Sequence, residues 1–188
     1  MRVIGGNLKG KFIHNPIDKK TRPLKDMVRE SIFNILEHSH NEKIHFRNQI
    51  ILDLFSGSGS FGIECLSRGA KKIYFVENYK NTLNILKKNV GALDLKNTSK
   101  IIEKNAYEIL GDDFNNDKID LIFLDPPFKD KNINKLLKQI KELKIAQKYT
   151  LIIIHRNKKF KENFIDEFKI IREKTYGLSK IIFGKILI

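Results

Sequence analysis

Ile50-Ile51-Leu52-Asp53-Leu54-Phe55-Ser56-Gly57-Ser58-Gly59-Ser60-Phe61-Gly62 is the stretch on which the reading of this chain turns. Its first half, over residues 49–55, is nearly all apolar, as suits a strand buried on both faces of a parallel sheet. Its second half is a glycine-rich turn leading into a helix expected to run through about Arg68. Gly57, Gly59 and Gly62 form a G-x-G-x-x-G between that strand and that helix, where the pattern has physical meaning. Glycine permits the turn, and missing side chains let a ligand approach the backbone.

Outward from this point, strands and helices alternate. Strands are expected at residues 72–76, 100–102, 119–124 and 150–155, and helices at 79–92 and 132–143. A short helix is expected at 160–168, and two final strands around Tyr176-Gly177 within 170–188. Such alternation means an α/β fold with a mostly parallel seven-stranded sheet and helices on both faces. Before the motif, residues 2–13 read as a hairpin or extended arm, 25–37 as a helix and 38–48 as a polar linker. The chain therefore divides into a small hairpin-helix extension, 1–45, and a main domain, 46–188.

The turn's neighbours narrow its ligand. Asp53 stands in a D-x-F-x-G-x-G with Phe55, just before the glycines. A carboxylate there repels a pyrophosphate but attracts an ammonium group, such as the methionine end of S-adenosylmethionine. Glu77 ends the second strand, where its carboxylate can accept from two ribose hydroxyls. Asn105-Ala106 closes the third strand, in position to meet the adenine of such a ligand.

The fourth strand delivers Asp125-Pro126-Pro127-Phe128 to its carboxyl end, the edge where open α/β sheets bind ligands. An exocyclic amine on a nucleic-acid base donates its lone pair into the ring and is a poor nucleophile. The Asp125 carboxylate and the Pro126 carbonyl can accept its two N–H bonds, localise the lone pair and stabilise the cationic amine that forms. Pro126 and Pro127 restrict the backbone that carries these acceptors. Phe128 offers a face for the base. Ring-carbon methylation calls instead for a cysteine nucleophile. The one cysteine, Cys65, lies in the helix after the glycine turn, as a small buried hydrophobe would.

The formal charge of +14, from 36 basic and 22 acidic residues, favours a polyanionic partner. A chain rich in Lys, Ile and Asn also fits an A/T-rich coding background. One cysteine excludes an intramolecular disulfide framework and suggests a reducing compartment. No CxxC or HExxH spacing occurs, so no metal is expected. With no signal-like apolar core and no membrane-length apolar run, a cytoplasmic protein without a membrane partner is expected.

Two features together, Asp53 to Gly59 and Asp125 to Phe128, resemble the class I methyltransferase superfamily with its Rossmann-like fold. The chain resembles more closely the RsmD family of 16S ribosomal RNA guanine-N2 methyltransferases. Carrying that likeness are Arg2-Val3-Ile4-Gly5-Gly6, Lys9-Gly10-Lys11, Thr21-Arg22-Pro23, Asp26-Met27-Val28-Arg29-Glu30-Ser31-Ile32-Phe33-Asn34 and Leu66-Ser67-Arg68-Gly69-Ala70. The resemblance implies transfer of a methyl group from S-adenosylmethionine, leaving S-adenosylhomocysteine, to N2 of a guanine in 16S rRNA. It implies a monomer acting on rRNA in a small-subunit particle or assembly intermediate. It also makes the N-terminal extension an RNA-binding element, with Arg2, Lys9, Lys11, Arg22 and Arg29 as candidate phosphate contacts. Adenine-N6 methylation of DNA or another RNA is the alternative, because the same tetrad can hold either amine. Two departures stand out. Leu24 and Lys25 replace small hydroxyl residues, and His155-Arg156 follows the fifth strand where members of the family are more acidic. For that pair an added RNA contact and a lysine-rich background both remain open.

Overall fold

The computed structural model describes residues 1–16, 24–40 and 42–187. One seven-stranded sheet carries the order β3-β2-β1-β4-β5-β7-β6. In chain order the strands are β1 Ile50–Leu54, β2 Lys72–Val76, β3 Ser99–Ile102, β4 Ile119–Leu124, β5 Ala146–Asn157, β6 Phe168–Tyr176 and β7 Ser179–Ile186. The helices are α1 Asp26–His38, α2 Ser60–Ser67, α3 Lys80–Ala92 and α4 Ile133–Glu142. Strands β1 to β5 pair in parallel, whereas β7 runs antiparallel to both β5 and β6.

The apolar runs are continuous because neighbouring residues enter different layers. Ile51, Leu121, Phe123 and Ile153 join the cluster that also holds Phe33, Phe61, Cys65 and Leu86, on the side of α1, α2 and α3. Leu52, Ile122, Leu124 and Ile152 join the other, with Leu136, Leu137 and Ile140 of α4. Both faces of the central strands are therefore dry, as expected for parallel strands covered on both sides. No helix among the described residues is long and apolar enough to cross a membrane.

The N-terminal segment is only partly a hairpin. A single bridge joins Arg2 to Phe12, and the chain between them turns rather than extending as two strands. It is fastened by side chains of α2. The buried Glu64 carboxylate accepts the amides of Ile4 at 2.8 Å and Gly5 at 2.7 Å, and pairs with Arg68 at 2.9 Å. Ser67 Oγ donates to the Gly5 carbonyl and accepts the Leu8 amide. Val3, Ile13, Leu24 and the inner face of α1 then join the same cluster as the sheet. The described residues of this N-terminal extension thus share a core with the main domain.

The short helix expected at 160–168 does not form. Residues 161–165 lack regular structure, and Ile165 instead donates its amide to Asn134 Oδ1 at the start of α4. The apolar spacing of Phe160, Phe164 and Phe168 reflects packing of Phe164 against Phe168, with ring centroids 5.0 Å apart, rather than a helical face. Strand β5 is also longer than expected, starting at Ala146.

Removing one partner of a buried, hydrogen-bonded ion pair typically costs about 3–5 kcal/mol. Glu64→Ala is expected to lower stability to urea by about that much and to expose residues 1–10 to proteolysis. An unchanged unfolding midpoint would show that the N-terminal segment docks without this carboxylate.

Candidate active site

The β1–α2 turn is built around two carboxylates. Asp53 is 1% exposed, and its Oδ2 accepts the Gly62 amide at 3.1 Å. Burial pushes its carboxyl well above the usual range; the Gly62 amide opposes that shift, and the nearby Asp125 and Glu77 reinforce it. Phe55 follows with φ of 60°, an uncommon conformation for a bulky residue and a sign that the turn is held from several sides. Ser56 Oγ supplies one such hold, donating to the Asp53 carbonyl at 2.6 Å.

The three glycines have different reasons to be glycine. Gly57 has φ of 58° and donates its amide to Glu77 Oε2 at 2.9 Å. Gly59 has φ of 80°, and a Cβ there would lie 2.5 Å from Leu86 Cδ1. Gly62 is helical, and its added Cβ would lie 2.4 Å from Phe75 Cε1. Only Gly57 lines the adjacent cavity; Gly59 and Gly62 serve the fit of α2 against β2 and α3.

That cavity, of about 440 Å³, is bounded by Asp53, Phe55, Gly57 and Glu77 on one side and by Asp125, Pro126, Pro127, Phe128 and His155 on the other. Sequence-expected members of both groups are thus brought together. Asn105 and Ala106 do not line it. Asn105 Oδ1 caps the turn by accepting the Tyr107 amide at 3.1 Å, and Ala106 is 3% exposed. Glu77 also accepts the amides of Asn78 at 2.9 Å and Tyr79 at 2.8 Å. With Gly57, three of its roughly four acceptor positions are taken by backbone. The wall therefore presents carboxylates in a basic protein, a setting that favours a cationic ligand over a phosphate.

The loop after β4 is held by residues the sequence reading did not place here. His155 Nδ1 and Asp125 Oδ1 share a hydrogen bond at 2.8 Å. An ionised carboxylate only accepts, so the proton belongs on Nδ1. Nε2 is buried without a partner among the described residues. The Phe128 and His155 rings meet edge to face, with centroids 5.4 Å apart. The buried Arg156 guanidinium donates to the carbonyls of Pro127 at 3.3 Å and Asp130 at 2.5 Å, and to Glu162. Tyr107 Oη donates to Asp130, and burial together with this bond pushes the phenol upward. The Pro126 carbonyl has no partner among the described residues. His155-Arg156 is therefore an internal brace, not an RNA contact or a surface charge. Their position near the carboxyl end of β5, beside the strand that leads to Asp125, was the available signal.

The candidate RNA contacts separate. Arg2, Lys9 and Lys11 are exposed on the N-terminal segment, and Arg2 donates to the Gly10 carbonyl at 2.8 Å. Arg22 lies outside the described residues. Arg29 is a correction: it is 0% exposed and donates to the Arg2 carbonyl and Asp26. Its guanidinium anchors α1 to the N-terminal segment and has no face left for a phosphate.

The family described as conserved hypothetical protein 95 matches residues 1–185. Ribosomal RNA small subunit methyltransferase D of Haemophilus influenzae is 30% identical over 180 residues, covering 95% of this chain and 90% of that one. A solved Escherichia coli chain superposes with a TM-score of 0.81 at 23% identity, covering 100% of this chain and 98% of its own. An Aquifex aeolicus structure titled a SAM dependent methyltransferase superposes with a TM-score of 0.62 at 16% identity, covering 85% and 89%. The last two likenesses concern the fold.

Arg156→Ala removes the donors to Pro127 and Asp130. Exchange of the Asp130 amide, which bonds the Pro127 carbonyl at 2.8 Å, is expected to accelerate by at least about tenfold while amides of β1 keep their protection. Unchanged exchange at Asp130 would mean that Tyr107 holds the loop alone.

Proposed function

Because the chain belongs to the RsmD family, we propose that it transfers a methyl group from S-adenosylmethionine to the exocyclic N2 of a guanine in 16S rRNA. The observation that carries the reaction type is the pair of acceptors at the cavity edge: the Asp125 carboxylate, oriented by His155, and the Pro126 carbonyl, which has no partner among the described residues. The choice of base and RNA is supported by the family resemblance and by the name of the Haemophilus influenzae relative.

The residues present fit the donor. Asp53 offers a buried carboxylate to an ammonium group, and Glu77 keeps an acceptor position for a ribose hydroxyl. S-adenosylmethionine, when bound, supplies an electrophilic methyl group and leaves as S-adenosylhomocysteine. The chain's own part is positioning and charge. Asp125 Oδ1 is occupied by His155, which leaves Oδ2 to accept one N–H of the target amine while the Pro126 carbonyl accepts the other. As the nitrogen becomes cationic in the transition state, both bonds strengthen where the donor–acceptor geometry is already set. Phe128, fixed edge-on to His155, presents its ring to the base. His155 acts through Asp125: with Nε2 buried and without a partner among the described residues, the ring orients the carboxylate.

Incubation with labelled donor and 30S particles, free 16S rRNA or DNA, followed by nucleoside mapping, is expected to place label in N2-methylguanine of the rRNA. Label in N6-methyladenine, or in DNA, would overturn the choice of base. Asp125→Ala is expected to lower turnover at least about a hundredfold with donor affinity retained; equal turnover would show the amine acceptor to be elsewhere. His155→Ala should lower kcat about tenfold without changing donor affinity, and His155→Asn should recover part of it by restoring an N–H near Nδ1. A purely structural histidine would give no such rescue.

The raised Asp53 carboxyl sets a sign for donor binding. The ammonium binds the ionised form, so affinity is expected to fall on acidification, starting at a higher pH than for an ordinary carboxylate. Titration by calorimetry should show this loss, and Asp53→Asn should bind weakly with the pH dependence removed. A wild-type profile in the Asn variant would exclude Asp53 as the ammonium partner.

A further inference from the structure

We propose that residues 157–161, with Lys129 and Lys131 of the catalytic loop, form a docking surface for single-stranded RNA flanking the target base. This rests on the RNA-methylating function proposed above but on different atoms. Leu124, the last residue of β4, pairs with Ile154, and β5 runs on to Asn157 beside the loop that leaves β4. Arg156 then ties them together through the Pro127 and Asp130 carbonyls. Residues 157–161 are a built turn: the Lys158 amide donates to the Leu178 carbonyl, Lys159 to Asn157 Oδ1, and Phe160 to the Asn157 carbonyl.

Charge on this rim is sorted. Lys129, Lys131, Lys158, Lys159 and Lys161 are exposed, with no acidic partner among the described residues. Carboxylates in the same stretches are held by internal donors: Asp130 accepts Tyr107 Oη and the Asn132 amide, and Glu162 accepts Arg156. The outward field is therefore positive beside a cavity walled by carboxylates. Between two of these lysines stands Phe160, 46% exposed. An aromatic face interleaved with lysines is the arrangement that binds single strands, because every base has a face to stack and every nucleotide a phosphate. A guanine drawn out to Asp125 leaves its neighbours with unstacked faces.

The test uses the full chain with purified 16S rRNA and a double-stranded DNA of matching sequence, whose bases offer no open faces, over a salt titration. A triple variant, Lys158→Ala, Lys159→Ala and Lys161→Ala, is expected to bind rRNA at least about tenfold more weakly, with a salt slope reduced by about two. Phe160→Ala should lose about five- to tenfold with the slope unchanged. Donor affinity should match wild type in both variants, which also shows that they fold. Wild-type affinity and slope in both would overturn the surface. So would equal binding of the DNA, which would make it a general polyanion patch. If wild-type protein places no label in RNA, the proposed function fails instead, and the binding data then stand or fall separately.

Discussion

The alignment of three parallel strands is the constraint on which this site depends. Leu54 of β1 lies beside Leu124 of β4, and Leu124 lies beside Ile154 of β5. Phe55 and Asp125, the first residues after β1 and β4, therefore come level with His155, the next residue along β5. A slip of one residue in β4 would send Asp125 to the opposite face, because side chains alternate along a strand. The slip is opposed by packing: Leu121 and Phe123 fill one layer, and Ile122 and Leu124 fill the other.

Electrostatics divides the molecule in two. The whole chain carries +14, yet Asp53, Glu77 and Asp125 face one cavity. A cationic small molecule and a polyanion could thus be received within a short distance by surfaces of opposite sign. The concentration of acid is costly, as the upward displacement of the Asp53 carboxyl records. The turn offsets that cost with backbone amides from Gly62, Gly57, Asn78 and Tyr79. These bonds also make the loop rigid before anything binds.

Much of this arrangement was legible in the residues. The seven strands, their parallel order through β5, and the meeting of the glycine turn with Asp125-Pro126-Pro127-Phe128 follow from apolar runs and the chain's alternation. The function of Arg29 did not follow, since a charge is read locally as exposed. Arg29 is buried by the fold-back of residues 1–3, a contact between segments far apart in sequence. His155 and Arg156 were visible only as oddities at a strand end. Their partners come from a neighbouring strand, about thirty residues away, and one-dimensional periodicity carries no information about that pairing. The failed helix at 160–168 shows the same limit, as Phe164 and Phe168 at helical spacing pack on each other while Phe160 stays exposed.

The outermost strand has a consequence of another kind. An open strand edge exposes unpaired backbone and invites a second molecule to continue the sheet. One of the two edges is β6, with Lys169, Glu173 and Lys174 exposed along it and a register irregularity between Ile170 and Arg172. A bulge twists the ladder out of line, and lysines oppose a second copy of the same strand. The protein thus leaves one border of its sheet unfinished while guarding it against self-association and fibril growth.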